Sequence, residues 1–290
     1  MIYTTINTKG GVGKSLTSVV LACLLHSKNR DFKILEIDNS NNSLVFKNSD
    51  FLTEDKAISV KLDQKDTVIS DMLFDIMCES ELDYIVDVGG GDDTQKILDI
   101  LKPLELEKTY LIPTLKIKKY LQNAEDTYKY IDDFENTFFV LNQYQNQKNI
   151  KQEFKYFYGD KDMGIKPVSN LFKNAQVISL PYSDLFQIAE DDEQTILDLA
   201  SVANGVTEQQ AREMSFKLAD GDRDKFRILI TQYNNSLKAQ ELFQEIEEQV
   251  KTLFVTNTTE TNNNEAYWND WNTMKRNWNE NAMKLKLTEK

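Results

Sequence analysis

Histidine and cysteine are almost missing from this chain, which has one of the former and two of the latter in 290 residues. A zinc centre needs about four His or Cys ligands, so the composition argues against one. Cys23 and Cys78 each fall among apolar residues of helical spacing and read as buried thiols rather than a disulfide or metal pair. The single histidine, His26, ends the first helical segment and reads as a surface residue. Long apolar runs are lacking as well. No stretch reaches the roughly 18 residues that a spanning helix requires, so no membrane span is expected. The chain opens directly on a strand-like run without signal-peptide character, and a cytoplasmic protein is the expectation. Positive charge is in deficit: 34 Lys and Arg stand against 47 Asp and Glu, a formal net charge of −13. A body so acidic does not attract phosphate backbones as a whole, which disfavours non-specific DNA binding. The local clusters Lys116, Lys118, Lys119 and Lys148, Lys151 read as solvated helix faces.

Against that background one segment carries most of the chemistry, Lys9-Gly10-Gly11-Val12-Gly13-Lys14-Ser15. The apolar run Ile2–Ile6 precedes it and reads as a strand. Leu16 to Leu25 follows and reads as a helix. Strand, glycine loop, helix is the context of a phosphate-binding loop. Glycines let consecutive backbone N–H groups of Gly10 to Leu16 turn inward around phosphate oxygens, and the helix start adds donors and partial positive charge. Lys14 then reaches the β- and γ-phosphates, and the Ser15 hydroxyl is a Mg²⁺ ligand.

Further apolar runs alternate with segments of helical spacing. Strands are expected at Phe32–Ile37, Ala57–Leu62, Tyr84–Val88, Thr109–Ile112 (stopped by Pro113), Thr137–Asn142 and Gln176–Leu180 (ended by Pro181). Helices are expected at Thr67–Cys78, Gln95–Leu101 and Leu115–Ile131. About seven strands separated by helices predict an α/β fold, a mostly parallel sheet covered on both faces. Right-handed crossovers collect the loops that follow the strands on one edge, where ligands bind. Asp38 stands at that edge after the second strand, where a carboxylate can hold a metal-bound water or orient an attacking one. Asp87 ends the buried run Tyr84–Val86, the Walker B pattern of a carboxylate beside the metal. Gly89-Gly90-Gly91 after it read as a second mobile switch, with Asp92 and Asp93 alternatively just opening the next helix.

The loop departs from the plain G-x-x-x-x-G-K-[ST] pattern, because Thr8 stands where the first glycine belongs and Lys9 adds a second lysine. In this it resembles the deviant Walker A motif of the ParA/MinD family of ATPases. The resemblance covers about residues 1–200 and implies a P-loop NTPase fold with bound ATP and Mg²⁺. It implies that Lys9 crosses a dimer interface to the partner's nucleotide. Glu36-Ile37-Asp38-Asn39-Ser40-Asn41-Asn42 resembles the family's D-x-D-P-Q-G-N switch, with Asp38 matching the hydrolytic aspartate and Glu36 replacing the first one. Asn142 falls where the family hydrogen-bonds the adenine, and Pro181 lies in Leu180-Pro181-Tyr182, which matches the segment packing on the base. The resemblance thus names Lys9, Lys14 and Asp38 as catalytic, Ser15, Asp38 and Asp87 as metal-binding, and Gly10–Leu16, Asn142 and Pro181 as nucleotide-binding. Within the family the loop looks closest to plasmid-encoded TraL or StbB types.

The C-terminal third is less legible. Helices are expected over Glu208–Leu218 and Asp222–Phe254, the latter with an apolar stripe through Phe226, Leu229, Ile230, Tyr233, Leu237, Leu242, Ile246, Val250 and Leu253. The expected organisation is an ATPase domain over 1–205, a helical C-terminal extension packed on it over 206–255, a linker at 256–264 and a Trp-rich helix at 265–290. Trp268, Trp271 and Trp278 in that helix could dock on the body, bind a partner or lie in a membrane interface. The function expected is an ATP-dependent dimerisation switch with weak Mg²⁺-dependent hydrolysis of ATP to ADP and phosphate. It would position or segregate cargo in plasmid partition or conjugative transfer, through a homodimer in the ATP state and a protein activator or cargo adaptor. The alternative is a membrane-associated MinD-like regulator using the C-terminal helix.

Overall fold

The computed structural model describes residues 1–37, 46–60, 82–102 and 107–254. The expected Thr67–Cys78 helix, Asp38 and Asn42, Cys78, the linker at 256–264 and the Trp-rich segment lie outside the described residues.

Seven strands form one all-parallel sheet: β1 Ile2–Thr5, β2 Phe32–Ile37, β3 Ala57–Val60, β4 Asp83–Val88, β5 Lys108–Thr114, β6 Thr137–Tyr144 and β7 Gln176–Pro181. Their order is β3-β2-β4-β1-β5-β6-β7. The strands are nearly continuous apolar runs because both faces are covered. On one face Leu35, Ile37, Val86, Val88, Ile112 and Phe139 belong to a core shared with helices α2 (Asp92–Leu101) and α3 (Lys118–Ile131). Helix α1 (Lys14–Ser27) packs on β1, β2 and β4, and every residue from Thr17 to Leu25 is buried. Cys23 is among them. Two four-residue helices, α4 (Ile150–Glu153) and α5 (Lys155–Tyr158), follow β6, and Phe157 of α5 stacks on Phe172 at 4.4 Å.

The expected strands all recur: Phe32–Ile37 with the bounds expected, Ala57–Leu62 as far as Val60, the last described residue there, and the others with shifted ends. Pro113 does not stop β5: it pairs with Val140 of β6. N–H and C=O of one strand residue point to the same side, and the Pro113 carbonyl is used on the β1 side by Asn7. The N–H that proline lacks would face that same side, beyond the end of β1, so no ladder bond to β6 is lost. Pro181 likewise lies within β7, an edge strand that tolerates it. Asp92 and Asp93 open α2. Residues 115–117 stand outside α3, which starts at Lys118. His26 is not free on the surface. It is half-buried and stacks on Phe51 with ring centroids 4.2 Å apart, and burial and the Lys56 charge push its pKa down to about 4 against the pull of Asp31.

The chain divides into two compact units, Met1–Ser183 with Gln249–Phe254, and a second one whose described part is Asp184–Glu248. In the first, Gln249 accepts from Gln147 and Ser179, and Phe254 packs beside Tyr3 under the Arg30 guanidinium. The second contains α6 (Leu185–Asp191), α7 (Ile196–Ser201), α8 (Glu208–Ala219) and most of α9 (Arg223–Val250). Thr195 and Thr207 open α7 and α8 with reciprocal capping boxes to Asp198 and Gln210. Ser236 of α9 accepts from the Ala203 N–H and donates to the Ala200 carbonyl. The buried stripe of α9 runs through Leu229, Tyr233, Ser236, Ala239 and Phe243; Leu237, one position off it, is exposed. No described helix is long and apolar enough to cross a membrane.

Candidate functional site

The loop from Asn7 to Gly13 joins β1, in the middle of the sheet, to α1. Gly13 is the pivot. Its φ of 93° is a left-handed value that side chains rarely adopt, and a Cβ there would lie 1.8 Å from Asn142 Nδ2. Helix α1 begins with no side-chain cap and no acidic residue in its first turn. The first N–H groups of a helix have no partner within it, which makes this start a place for an anion. Lys14 turns back so that Nζ donates to the Lys9 carbonyl at 3.1 Å. Lys9 and Lys14 thus share one turn at the mouth of the loop.

Three residues hold the loop, Asn7 from its own first position and Thr127 and Asn142 from outside it. Asn7, fully buried, donates from Nδ2 to the Pro113 carbonyl at 2.8 Å and accepts the Lys9 N–H on Oδ1 at 2.9 Å. Thr127 of α3 accepts the Thr8 N–H at 3.4 Å. Asn142 donates to the Val12 carbonyl at 3.0 Å. Asn142 reaches the loop because β6 breaks register between Asn142 and Tyr144, with Gln143 left-handed at φ 63°. A bulge of this kind re-aims side chains beside a site. Asn142 is only 1% exposed and its amide grips the loop, while its Oδ1 has no hydrogen-bond partner. Asn7 and Thr127 were not anticipated; the one local signal was the position of Asn7, a short polar side chain between the strand and the glycines.

Asp87 lies in register between Thr5 of β1 and Glu36 of β2. Both carboxylates are buried, and Asp87 Oδ1 has no hydrogen-bond partner. Burial pushes the Asp87 pKa up to about 6, opposed by hydrogen bonding to Ser15, the Lys14 charge and Ser18, and reinforced by Glu36. An orphaned buried carboxylate oxygen costs stability unless something fills its place. Beside a hydroxyl and a phosphate-binding loop, a hard divalent cation with oxygen ligands fits the donor set. The triple-glycine segment after β4 lies on the loop: the Gly91 N–H donates to the Thr8 carbonyl at 2.8 Å, and Gly90 approaches Gly10. Pro181 is buried at the end of β7, and Tyr182 after it is 56% exposed. The fold therefore gathers Lys9, Gly10–Leu16, Asp87 and Asn142, with Pro181 on the neighbouring strand of Asn142.

A doubly wound parallel sheet with a glycine loop between its central strand and the following helix defines a P-loop nucleotide-binding protein. Residues 3–264 match the model of the CobQ/CobB/MinD/ParA nucleotide binding domain, and the chain belongs to that family. No curated protein matches it. Among solved structures it is similar to MinD in the MinC:MinD cell division complex of Aquifex aeolicus, at 13% identity and TM-score 0.46, over 82% of this chain and 95% of that one. An ATP complex of McdA from Cyanothece aligns at 10% identity and TM-score 0.41, over 89% and 98%. An ADP-bound nucleotide-binding protein from Archaeoglobus fulgidus aligns at 15% and 0.40, over 66% and 86%.

Proposed function

We propose that this protein is an ATP-driven dimerisation switch that hydrolyses ATP slowly. The observation that supports it most directly is the shared turn of Lys9 and Lys14, with Lys14 Nζ on the Lys9 carbonyl. Phosphate oxygens are stronger acceptors than that carbonyl, so Lys14 would transfer to the β- and γ-phosphates when they arrive. The N–H groups at the start of α1 would bind the same oxygens. Lys9, anchored by its own N–H on Asn7, would extend its ammonium to the nucleotide of a second subunit. Ser15 and Asp87 would hold Mg²⁺, whose charge offsets that of the phosphates when bound. Asp38 would orient the attacking water. Pro181 and Tyr182 would support the base, and Asn142 would offer it the Oδ1 that has no partner in the loop.

A γ-phosphate gripped from both subunits favours the closed dimer only while it is attached, so hydrolysis reopens it. The bond from Gly91 to Thr8 gives the glycine segment after Asp87 a route for sensing that loss. The cargo would be a plasmid or a conjugation apparatus, reached through a protein adaptor.

The test is a pair of substitutions. Lys14→Ala is expected to abolish nucleotide binding in calorimetry. Lys9→Ala is expected to keep binding but to lose ATP-dependent dimerisation in analytical ultracentrifugation, together with turnover. Normal dimerisation and turnover by the Lys9 variant would refute the lysine-exchange reading.

A further inference from the structure

A groove of about 470 Å³ runs between the first turns of α3 and the segment that connects β6 to β7. Lys118 and Gln122 line it from α3, and Tyr156, Lys166 and the rest of 164–168 line it from the connector. Ile165, Pro167 and Val168 are half-buried and form an apolar base, while Lys118 and Lys166 are exposed. The described lining contains no carboxylate. Next in sequence to the lining residues, Ile117 and Met163 expose 56% and 64% of their surface.

The connector here is a built element. Asp160 and Ile165 exchange two backbone bonds of 2.7 Å, and Val168 N–H donates to the Tyr156 carbonyl. The Asp160 carboxylate accepts the Met163 N–H, so this nearby acid is turned onto its own hairpin. Behind the groove, the stacked rings of Phe157 and Phe172 back the connector.

Lys118 does not serve the helix that carries it. Helix α3 starts at Lys118, its N-cap residue Ile117 offers no side-chain cap, and Lys118 and Lys119 occupy a first turn that holds no acid. Positive charge at a helix start is unfavourable by about 0.3–1 kcal/mol. Among the described ion pairs of this stretch, only Lys116 is matched, by Glu153 at 3.5 Å.

We propose that this groove docks a short peptide segment of a partner protein that combines acidic with apolar side chains. Charge complementarity selects the occupant, because the groove is a positive spot on a chain of net charge −13. Screening acts over about 8 Å at physiological salt, so an acid seated by Lys118 and Lys166 feels them and little of the more distant body. A nucleic acid carries a charge every 1.7 Å or so and would run out of the groove onto acidic surface. Ile117 and Met163 offer phosphates nothing, whereas leucine or phenylalanine of a peptide would bury them. The proposal does not depend on the nucleotide switch.

The experiment is selection of displayed random peptides on the full chain, followed by fluorescence anisotropy of the enriched sequences on the wild type and on Lys118→Glu/Lys166→Glu. Enriched peptides are expected to pair Asp or Glu with Leu, Ile or Phe. They are expected to lose about tenfold or more in affinity on the variant, since like charges then face each other. Both positions are exposed and Lys118→Glu removes an unfavourable charge from the start of α3, so the variant's thermal melt is expected to match or exceed that of the wild type. If it does not, Lys118→Ala/Lys166→Ala replaces it with a smaller loss expected. Enrichment without acidic bias, or equal binding to the variants, would overturn the proposal. Tighter binding of a mixed-sequence oligonucleotide than of the best peptide, lost in the same variants, would overturn it in favour of nucleic acid.

Discussion

Strand β4 carries a buried aspartate at each end, and its surroundings treat the two oppositely. Asp83, at the start, accepts from Arg30 Nη2 at 2.7 Å and lies 3.4 Å from the N-terminal ammonium. Arg30 in turn donates to the Tyr3 hydroxyl and lies over the Phe254 ring. Asp87, four residues on, keeps an oxygen without any hydrogen-bond partner and a pKa raised to about 6. The sheet is equally well packed at both places, so packing does not explain the contrast. A satisfied carboxylate ties chain ends together; an unsatisfied one is held at a cost that stability alone would not retain.

The contrast breaks most severely at Gly13, the residue that shapes the unsatisfied end. Gly13→Ala is expected to cost roughly 1–2 kcal/mol from the left-handed backbone alone, with more from collision with Asn142, and to abolish nucleotide binding. Adding Asn142→Ala should return the collision part in a double-mutant cycle read by urea unfolding. If Gly13→Ala bound nucleotide normally, the loop would not need this geometry.

The satisfied end should be the next most sensitive. Breaking a fully buried ion pair costs about 3–5 kcal/mol. Arg30 is 36% exposed, which screens the pair, so Asp83→Ala is expected to cost about 1–3 kcal/mol in urea unfolding while nucleotide affinity stays unchanged. The opposite signature is expected of Asp87→Asn. Without metal its stability should be unchanged or raised by up to about 1 kcal/mol, yet Mg²⁺-dependent nucleotide binding should be lost. A destabilised Asp87→Asn or a nucleotide-deficient Asp83→Ala would erase the distinction between the two ends.

The smallest effect concerns His26, at the end of α1 away from the loop. Its folded pKa, about 4, is below the usual 6.5, so the unfolded chain binds more protons in between. Its contribution to stability is therefore complete above about pH 6.5 and falls as pH drops toward 4. His26→Phe is expected to keep the stack on Phe51 and flatten the pH dependence of unfolding across that window.

The residues from Lys9 to Leu16 and the seven strands were legible because their signals are local. A glycine loop needs only a strand before it and a helix after it, and a strand buried on both faces shows as an apolar run whatever its neighbours are. Pro113 misled the reading because a proline is permitted or forbidden by which neighbouring strand its missing N–H would face, and that depends on strand order. The role of Leu237 misled it because α9 follows a stripe through small residues, Ser236 and Ala239, that hydropathy does not mark.

The sequence by itself determined that this chain folds as a parallel α/β sheet around a phosphate-binding loop with two lysines. Only the tertiary structure decided what holds that loop: Asn142 on Val12 across 130 positions, Asn7 on Pro113 across 106, Thr127 on Thr8 across 119. It also brought Lys118 to Lys166 around one groove. The physical reason is that a loop leaves backbone donors and acceptors open, and each must be satisfied by whatever polar group the fold carries to it, however distant along the chain.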